Sequence, residues 1–265
     1  MISFVGAGPG AADLITIRGQ NRIARADIVI WASSLVPKSL LDHCQSNPVI
    51  YDSAGMTLED VISIYEKNPH SNIVRLHSGD PSIYGAIQEQ INWCLENNRT
   101  FEVVPGVTSL SATAAAIGRE LTIPGVSQSI ISTRLASRTS SSMPKKESIT
   151  KFSSHGTTMA IFLSASKPKL LQEQLLDISS NYNEQTPAVI GIRISWPDEQ
   201  IIWTTVGQLA KDIIKTKIKT TVIVLVGPAL KETGKRSNLY SPTFAHGFRK
   251  KSLVGSTKSR PSKKE

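Results

Sequence analysis

The sequence predicts an α/β protein of two domains, the first built on a parallel sheet and the second on a mixed sheet. Three observations lead to this prediction. The chain of 265 residues exceeds the roughly 100–150 residues of a typical domain. Short apolar strands alternate with amphipathic helices up to about residue 120, as in parallel sheets covered on both faces. Near SWPDEQ, two strand patterns follow each other without a helix, which predicts an antiparallel hairpin.

The first half of the chain contains the alternating elements. Strands are predicted over 2–5, 28–31, 73–76 and 101–104, and helices over about 14–26, 57–65, 87–95 and 105–118. Thr57 can cap the second helix. In the residues that follow it, apolar side chains recur at the i, i+3, i+4, i+7 spacing of one buried helix face. This half is predicted to form a domain over residues 1–118.

The second half contains five strand patterns and fewer helices. The strands are QSIISTRL, TMAIFLSA, PAVIGIRI, QIIWTTV and TTVIVLVG, with helices near 168–178 and 206–214. A polar loop, ASRTSSSMPKKES, follows the first of these strands and has the length of a functional loop. This half is predicted to form a domain over residues 119–230.

The positive charge of the chain is concentrated at its end. Residues 231–265 contain ten Lys or Arg and two Glu, so this segment carries +8 of the net charge of +9. It has little apolar periodicity, which predicts a basic, disordered tail that is dispensable for activity. Because the remainder of the chain is nearly neutral, the composition argues against nucleic-acid binding.

Cysteine usage and hydropathy indicate the compartment. The beginning of the sequence has no basic leader before a long apolar run, and no later stretch approaches the roughly 20 apolar residues of a membrane span. Cys44 and Cys94 lie far apart, which favours two reduced thiols. A cytoplasmic protein without membrane association is therefore expected. The five histidines lack metal-ligand spacing, so no protein-bound metal is expected.

The stretch VGAGPGAA follows the first strand and is open to two interpretations. Gly6, Gly8 and Ala11 fit the G-x-G-x-x-A fingerprint of dinucleotide sites, which would make the chain a dinucleotide-dependent oxidoreductase. Pro9 and Gly10 form a stiff turn, however, and the second strand ends without the carboxylate that would bind a ribose. The alternative is a tight turn between a strand and a helix.

The stretch SGDPSIYG follows the third predicted strand, at the carboxyl edge of the sheet where ligands bind. Asp80 there suits a cationic or hydroxyl-bearing ligand, because an unpaired carboxylate in a half-buried crevice is costly. S-adenosylmethionine offers a sulfonium, an amino group and ribose hydroxyls. PGVTS after the next strand adds the hydroxyls of Thr108 and Ser109, although helix capping alone would also explain these residues.

Taken in order, VGAGPG, LHSGDPSIYG and VVPGVTSLSA resemble motifs of the tetrapyrrole methyltransferases, which methylate uroporphyrinogen and precorrins with S-adenosylmethionine. SSLVP, YDSAGM, HGTTMAIFLSA and SWPDEQII extend the resemblance over residues 2 to about 230. These later stretches are most similar to the members that methylate carbon 11 of precorrin-4 or cobalt-precorrin-4 in cobalamin biosynthesis. The nearest alternative is another activity of the same family.

The resemblance implies the tetrapyrrole methyltransferase fold, with the cofactor in the cleft between two domains, and usually a homodimer. It implies S-adenosylmethionine as cofactor, S-adenosylhomocysteine as product and an anionic tetrapyrrole as substrate. Carried over position by position, the implied cofactor contacts are Pro9, Gly79, Asp80, Ile83, Tyr84, Thr108, Ser109, Leu163, Ile194 and Ala229.

The carboxylates of a tetrapyrrole require cations in the cleft. The candidate substrate contacts are Arg18, Arg119, Arg134, Arg138 and Arg193. The polar loop 136–148 is expected to cover the tetrapyrrole rather than the cofactor, and any cobalt would belong to the substrate.

The sequence departs from the family members that act on uroporphyrinogen. Those members carry an Asp in a YDRLV segment and a basic residue in GKRAG, for which acid and base roles are proposed. The matching stretches here are WASSLV and YDSAG, and Ala32 cannot transfer a proton. Activity on uroporphyrinogen by that scheme is therefore not expected, and no residue is assigned as a general base.

Overall fold

The fold is seen in a computed structural model that describes residues 1–136 and 142–254. It consists of two lobes, each built around a five-stranded sheet. The first lobe contains strands β1 Ile2–Gly6, β2 Ile28–Trp31, β3 Val49–Asp52, β4 Ile73–His77 and β5 Phe101–Val104, and helices α1 Ile17–Ala24, α2 Leu58–Lys67, α3 Gln88–Glu96 and α4 Ser109–Ala116. The α/β class with a parallel sheet in this lobe is confirmed.

The strand order in the first sheet is β3-β2-β4-β1-β5, with every neighbouring pair parallel. Its two faces are buried by separate apolar clusters, one around Phe4 and Tyr65 and the other around Val29 and Leu40. The expected cap of α2 is present, because the Thr57 hydroxyl accepts a hydrogen bond from the Asp60 N–H. β1, β4 and β5 are adjacent, so the loops that follow them meet at one edge of the sheet.

One strand of the first sheet, β3, was not predicted. It has only four residues and forms an edge of the sheet, where Val49 and Ile50 remain exposed. An edge strand without a buried face lacks the apolar alternation from which strands are predicted.

The second lobe contains strands β6 Ile130–Arg134, β7 Thr158–Phe162, β8 Pro187–Ile192, β9 Gln200–Thr205 and β10 Val222–Val226, and helices α5 Ile149–Ser153, α6 Pro168–Leu175 and α7 Leu209–Thr216. Its strand order is β6-β7-β10-β8-β9. β6 and β7 are parallel, and the remaining neighbours are antiparallel. The mixed sheet and the hairpin at SWPDEQ are therefore confirmed.

Residues 231–254 extend from the second lobe. The Arg119 guanidinium donates hydrogen bonds to the carbonyl oxygens of Ala229 and Glu232, at 2.7 Å each, and the Lys235 N–H donates to the Pro124 carbonyl oxygen at 2.8 Å. Residues up to Lys235 thus contact the second lobe. The division of the chain at residues 118 and 230, and a disordered tail beyond it, stay predictions.

Within residues 1–136 and 142–254, no helix is both long enough and apolar enough to cross a membrane.

Candidate active site

Three glycines allow the loops after β1, β4 and β5 to pack backbone against backbone. A Cβ atom on Gly6 would lie 2.6 Å from the Gly106 Cα, and one on Gly106 would lie 2.1 Å from the Gly79 carbonyl oxygen. Gly8 and Gly79 exchange two backbone hydrogen bonds, of 3.2 and 2.8 Å. Gly6 and Gly8 of VGAGPG therefore serve close packing of the loops, which explains them without a dinucleotide.

Asp80 joins two of these loops. Its Oδ2 atom accepts a hydrogen bond from the Gly106 N–H at 2.9 Å, and its Oδ1 atom accepts one from the Ser82 N–H at 2.8 Å. The first bond connects the loop after β4 to the loop after β5. The carboxylate is half-buried, and each of its oxygens retains a lone pair for a ligand. Asp80 is thus an organiser of the site as well as a candidate ligand group.

A cavity of about 450 Å³ opens beside these loops, between the two lobes. Nine of the ten residues expected to contact the cofactor line it: Pro9, Gly79, Asp80, Ile83, Tyr84, Thr108, Ser109, Leu163 and Ile194. The tenth, Ala229, is not among its lining residues; it is fully buried, and its carbonyl oxygen accepts from Arg119. The structure therefore brings the three sequence motifs together around one site.

The five candidate arginines are dispersed. Arg134 lines the cavity, and its guanidinium donates to the Ser142 hydroxyl at 2.8 Å. Arg193 lies beside a neighbouring cavity and pairs with Asp198 at 2.9 Å. Arg119 bonds the carbonyl oxygens of Ala229 and Glu232. Arg18 is exposed on α1, and its positive charge is one of several contributions that lower the pKa of Glu102. Arg138 lies outside the described residues.

The second lobe contributes cavity residues that were not among the expected cofactor contacts. Lys219, Thr220 and Thr221 precede β10, and Phe162 and Ser164 lie at the end of β7. The Ser164 hydroxyl is buried without a hydrogen-bond partner. The signal for these residues is topological: the end of β7 and the start of β10 are adjacent because these strands are antiparallel. A local motif carries no such information.

Tyr84 and Phe162 bring the lobes into contact at the cavity. Their ring centroids are 5.2 Å apart, in a tilted arrangement that aromatic pairs favour. Burial raises the pKa of the Tyr84 phenol, although Arg134 and a hydrogen bond with Ser132 oppose this shift. Tyr84 and Leu163 have φ values of 57° and 52°, which are unusual for residues other than glycine. Backbone strain of this kind is concentrated at functional sites.

His77 lies at the end of β4, directly beneath the cavity loops. Burial, reinforced by the positive charge of Arg75, lowers the pKa of His77 to about 3. A hydrogen bond with the Gly85 backbone opposes this shift. The imidazole is therefore neutral near pH 7 and belongs to the interior of the lobe.

A family model describing the tetrapyrrole (corrin/porphyrin) methylases matches residues 1–210. The chain belongs to the tetrapyrrole methylases. A cobalt-precorrin-4 C(11)-methyltransferase of Methanocaldococcus jannaschii is 42% identical over 252 residues, with 94% of this chain and 96% of the relative covered. A precorrin-4 C(11)-methyltransferase of a Sinorhizobium species is 38% identical over 251 residues, with 94% and 98% covered.

Two solved structures place this tetrapyrrole methylase among known folds. A cobalt-precorrin-4 methyltransferase, described as a cobalamin biosynthetic enzyme, superposes with a TM-score of 0.82 at 36% identity, covering 87% of this chain and 96% of that one. Uroporphyrin-III C-methyltransferase of Thermus thermophilus, complexed with S-adenosyl homocysteine, has a TM-score of 0.72. Its identity is 21%, with 87% and 93% covered, so it supports the fold alone.

The extent of the sequence match corrects one expectation about the end of the chain. The resemblance was expected to end at about residue 230. A match covering 94% of 265 residues extends beyond that position. Part of the basic segment is therefore shared with the relatives.

Proposed function

We propose that this tetrapyrrole methylase transfers the methyl group of S-adenosylmethionine to carbon 11 of precorrin-4 or cobalt-precorrin-4, in cobalamin biosynthesis, and releases S-adenosylhomocysteine. The observation that carries the proposal is the match, over 91–94% of the chain, to relatives named for this reaction. Seven curated relatives with that name are 34–42% identical to the chain, whereas a uroporphyrinogen-III C-methyltransferase of Pseudomonas aeruginosa is 26% identical.

The inter-lobe cavity suits S-adenosylmethionine in size and chemistry. Its volume of about 450 Å³ falls in the range of roughly 300–1,000 Å³ usual for small-molecule sites. Ile83, Leu163 and Ile194 offer apolar surface to the adenosine, and Thr108 and Ser109 also line the cavity and carry hydroxyl groups. Asp80 supplies the negative charge that a cationic ligand requires.

The bound cofactor supplies an electrophilic methyl group on a positively charged sulfur. The contribution of the chain is to hold the two reactants in line and to exclude water from the cleft. The packed loops around Gly6, Gly79 and Gly106 provide a rigid floor, so little rearrangement is needed when ligands bind. No general base is assigned, because an electron-rich ring carbon can attack the methyl group directly.

The tetrapyrrole carboxylates are proposed to contact Arg134 and Lys219, the two cations that line the cavity among the described residues. Both belong to the second lobe, whereas Asp80 belongs to the first. The charges are thus arranged so that an anionic substrate and a cationic cofactor are attracted to different lobes. A cobalt ion, where present, is part of the substrate.

The enzyme is proposed to act as a cytoplasmic homodimer. The exposed edge strand β3 supports self-association, because it presents Val49 and Ile50 beside unpaired backbone groups. Light scattering after gel filtration tests this proposal, since it should give twice the mass of the 28.8 kDa chain.

The proposed function is tested by incubating the protein with S-adenosylmethionine and a panel of tetrapyrroles. The panel contains precorrin-4, cobalt-precorrin-4, other precorrins and uroporphyrinogen III. We expect S-adenosylhomocysteine and a product heavier by one methyl group with precorrin-4 or its cobalt form only. Turnover of another precorrin instead would indicate a different activity of the same family. Binding of NADPH rather than S-adenosylmethionine would support an oxidoreductase.

A further inference from the structure

We propose that Ser195 and Trp196 are positioning residues, which join the second lobe to the loop after β1 and thereby fix the width of the cofactor cavity. The pair and the residues it contacts, Pro9–Ala11, are called the lobe junction below. The inference rests on the proposed function for its binding and kinetic readouts, but not for its amide-exchange readout.

Two hydrogen bonds cross the lobe junction. The Trp196 indole N–H donates to the Pro9 carbonyl oxygen at 3.0 Å, and the Ala11 N–H donates to the Ser195 hydroxyl at 2.9 Å. Between these two bonds, Gly10 lies against the indole ring: a Cβ atom on it would be 2.2 Å from the Trp196 Cδ1 atom. The third glycine of VGAGPG is therefore explained by contact with the other lobe.

The turn that carries Ser195 and Trp196 is rigid. The Arg193 guanidinium lies 4.3 Å from the centre of the Trp196 ring and pairs with Asp198. The Glu199 carboxylate accepts a hydrogen bond from the Ser195 N–H at 2.6 Å. Arg193 and Ser195 have φ values of 47° and 65°, so the surrounding contacts must hold their backbone in place. Trp196 is thus presented to the first lobe in one orientation.

The lobe junction is also the wall between two cavities. Pro9 and Ile194 line the cofactor cavity. Their immediate neighbours, Gly10 and Ala11 on one side and Ser195 on the other, line an open cavity of about 650 Å³. A shift of the lobe junction would therefore move Pro9 and Ile194 and widen the cofactor cavity. Such a shift would also reach Thr221, another cavity residue, because the backbone N–H of Arg193 donates a hydrogen bond to the Thr221 carbonyl oxygen at 2.8 Å.

Three variants separate positioning from simple stabilisation. Trp196→Phe retains a ring against Gly10 and removes the donated hydrogen bond, and Ser195→Ala removes only the acceptor for Ala11. Trp203→Phe is the matched control, because Trp203 is half-exposed on β9, away from both lobe-junction and cavity residues. The double variant of Ser195 and Trp196 reports whether the two bonds act together.

Amide exchange and binding provide the decisive readouts. We expect Trp196→Phe to accelerate hydrogen exchange at the Ala11 amide, even though the hydrogen bond of that amide is to Ser195 and not to Trp196. We also expect it to weaken S-adenosylhomocysteine binding about 3- to 10-fold. The melting temperature and kcat should change little, whereas KM for the cofactor should rise. Trp203→Phe should change none of these.

Two outcomes would overturn the inference: unchanged Ala11 exchange in Trp196→Phe, or unchanged cofactor affinity despite accelerated exchange. A wild-type protein that binds no S-adenosylhomocysteine would instead refute the proposed function. The exchange data would then still decide whether the two hydrogen bonds act as one unit. If exchange at the Ala11 amide does not depend on the Trp196 hydrogen bond, the inference is overturned.

Discussion

Asp80 combines two tasks at the scale of a single residue. Its carboxylate connects the loops after β4 and β5 through the Gly106 N–H, and it faces the cavity between the lobes. The sequence predicts the position toward a ligand, because it places an acidic residue at the edge of a sheet. The connection between the two loops was not predicted, because Gly106 lies 26 residues from Asp80 in sequence.

Replacing Asp80 by alanine should weaken S-adenosylmethionine binding by on the order of 1–3 kcal/mol, the usual cost of leaving polar groups unpaired in a closed site. Asp80→Asn retains the shape of the side chain but only one of its two acceptor oxygens, so it should lower the melting temperature no more than Asp80→Ala does and should lose affinity through the missing charge. Calorimetry and thermal melting measure both effects. Unchanged affinity in a folded Asp80→Ala protein would contradict the anchoring role.

His77 makes stability depend on pH. Its pKa is about 3 in the folded chain against an ordinary value of 6.5, so the unfolded chain binds the proton more readily. The free energy of unfolding should therefore fall as the pH drops below 6.5, by about 2 kcal/mol at pH 5.

Denaturant unfolding at pH 7.5 and pH 5 measures this dependence. His77→Asn should lose less stability than the wild type over this interval. The control is His155→Asn, which replaces an exposed histidine and should show the same change in the free energy of unfolding between pH 7.5 and pH 5 as the wild type. An equal slope in His77→Asn and the wild type would show that His77 does not titrate in this way.

At the scale of elements, the end of β6 lies at the cavity, which Arg134 and Leu135 line. Arg134 is the last residue of β6 and lines the cavity, and Arg138 lies in the part of the loop outside the described residues. Their proximity in sequence predicts a shared role toward an anionic substrate.

Replacing both Arg134 and Arg138 by alanine should raise KM for the tetrapyrrole and leave the affinity for S-adenosylmethionine nearly unchanged, because a cationic cofactor gains nothing from these charges. Steady-state kinetics with each ligand varied in turn measures the two effects, and Arg18→Ala on α1 is the control. A loss of cofactor affinity without a change in KM for the tetrapyrrole would assign the loop to the other ligand.

The elements also show which features a sequence can predict. Strands with buried faces, such as β1 and β8, were expected, and the strand patterns near SWPDEQ form the predicted hairpin. Strand β3 was missed because its apolar residues are exposed at an edge. The loop 217–221 gave no signal either, because Lys219 and Thr221 reach the cavity through the pairing of distant strands.

At the scale of the whole molecule, the site exists only where the two lobes meet. Most first-lobe residues of the cavity, such as Asp80 and Thr108, belong to the glycine-containing motifs, whereas Leu35 does not. In the second lobe, the family resemblance indicated Leu163 and Ile194, whereas Lys219 lines the cavity because of the way the strands pair, which no local pattern encodes. The resemblance also implies a cofactor contact at Ala229, whose carbonyl oxygen accepts a hydrogen bond from Arg119, and this contact stays a prediction.

The end of the chain permits a truncation experiment. Ending the chain at Val254 should leave folding and turnover unchanged. Ending it at Lys231 removes the Glu232 carbonyl that Arg119 contacts and the Lys235 N–H bond to Pro124, so the melting temperature should fall. Differential scanning calorimetry and turnover measurements compare the two variants. Equal melting temperatures would show that the whole of residues 231–265 is dispensable, as the sequence alone predicts.

The most direct test of the account is the position of the transferred methyl group. S-adenosylmethionine carrying a carbon-13 methyl group is incubated with the protein and precorrin-4 or cobalt-precorrin-4, and the product is examined by carbon-13 NMR. We predict one enriched methyl signal, with couplings that place it on carbon 11 of the macrocycle. An enriched methyl group on any other ring carbon, or no transfer to either substrate, would contradict the account.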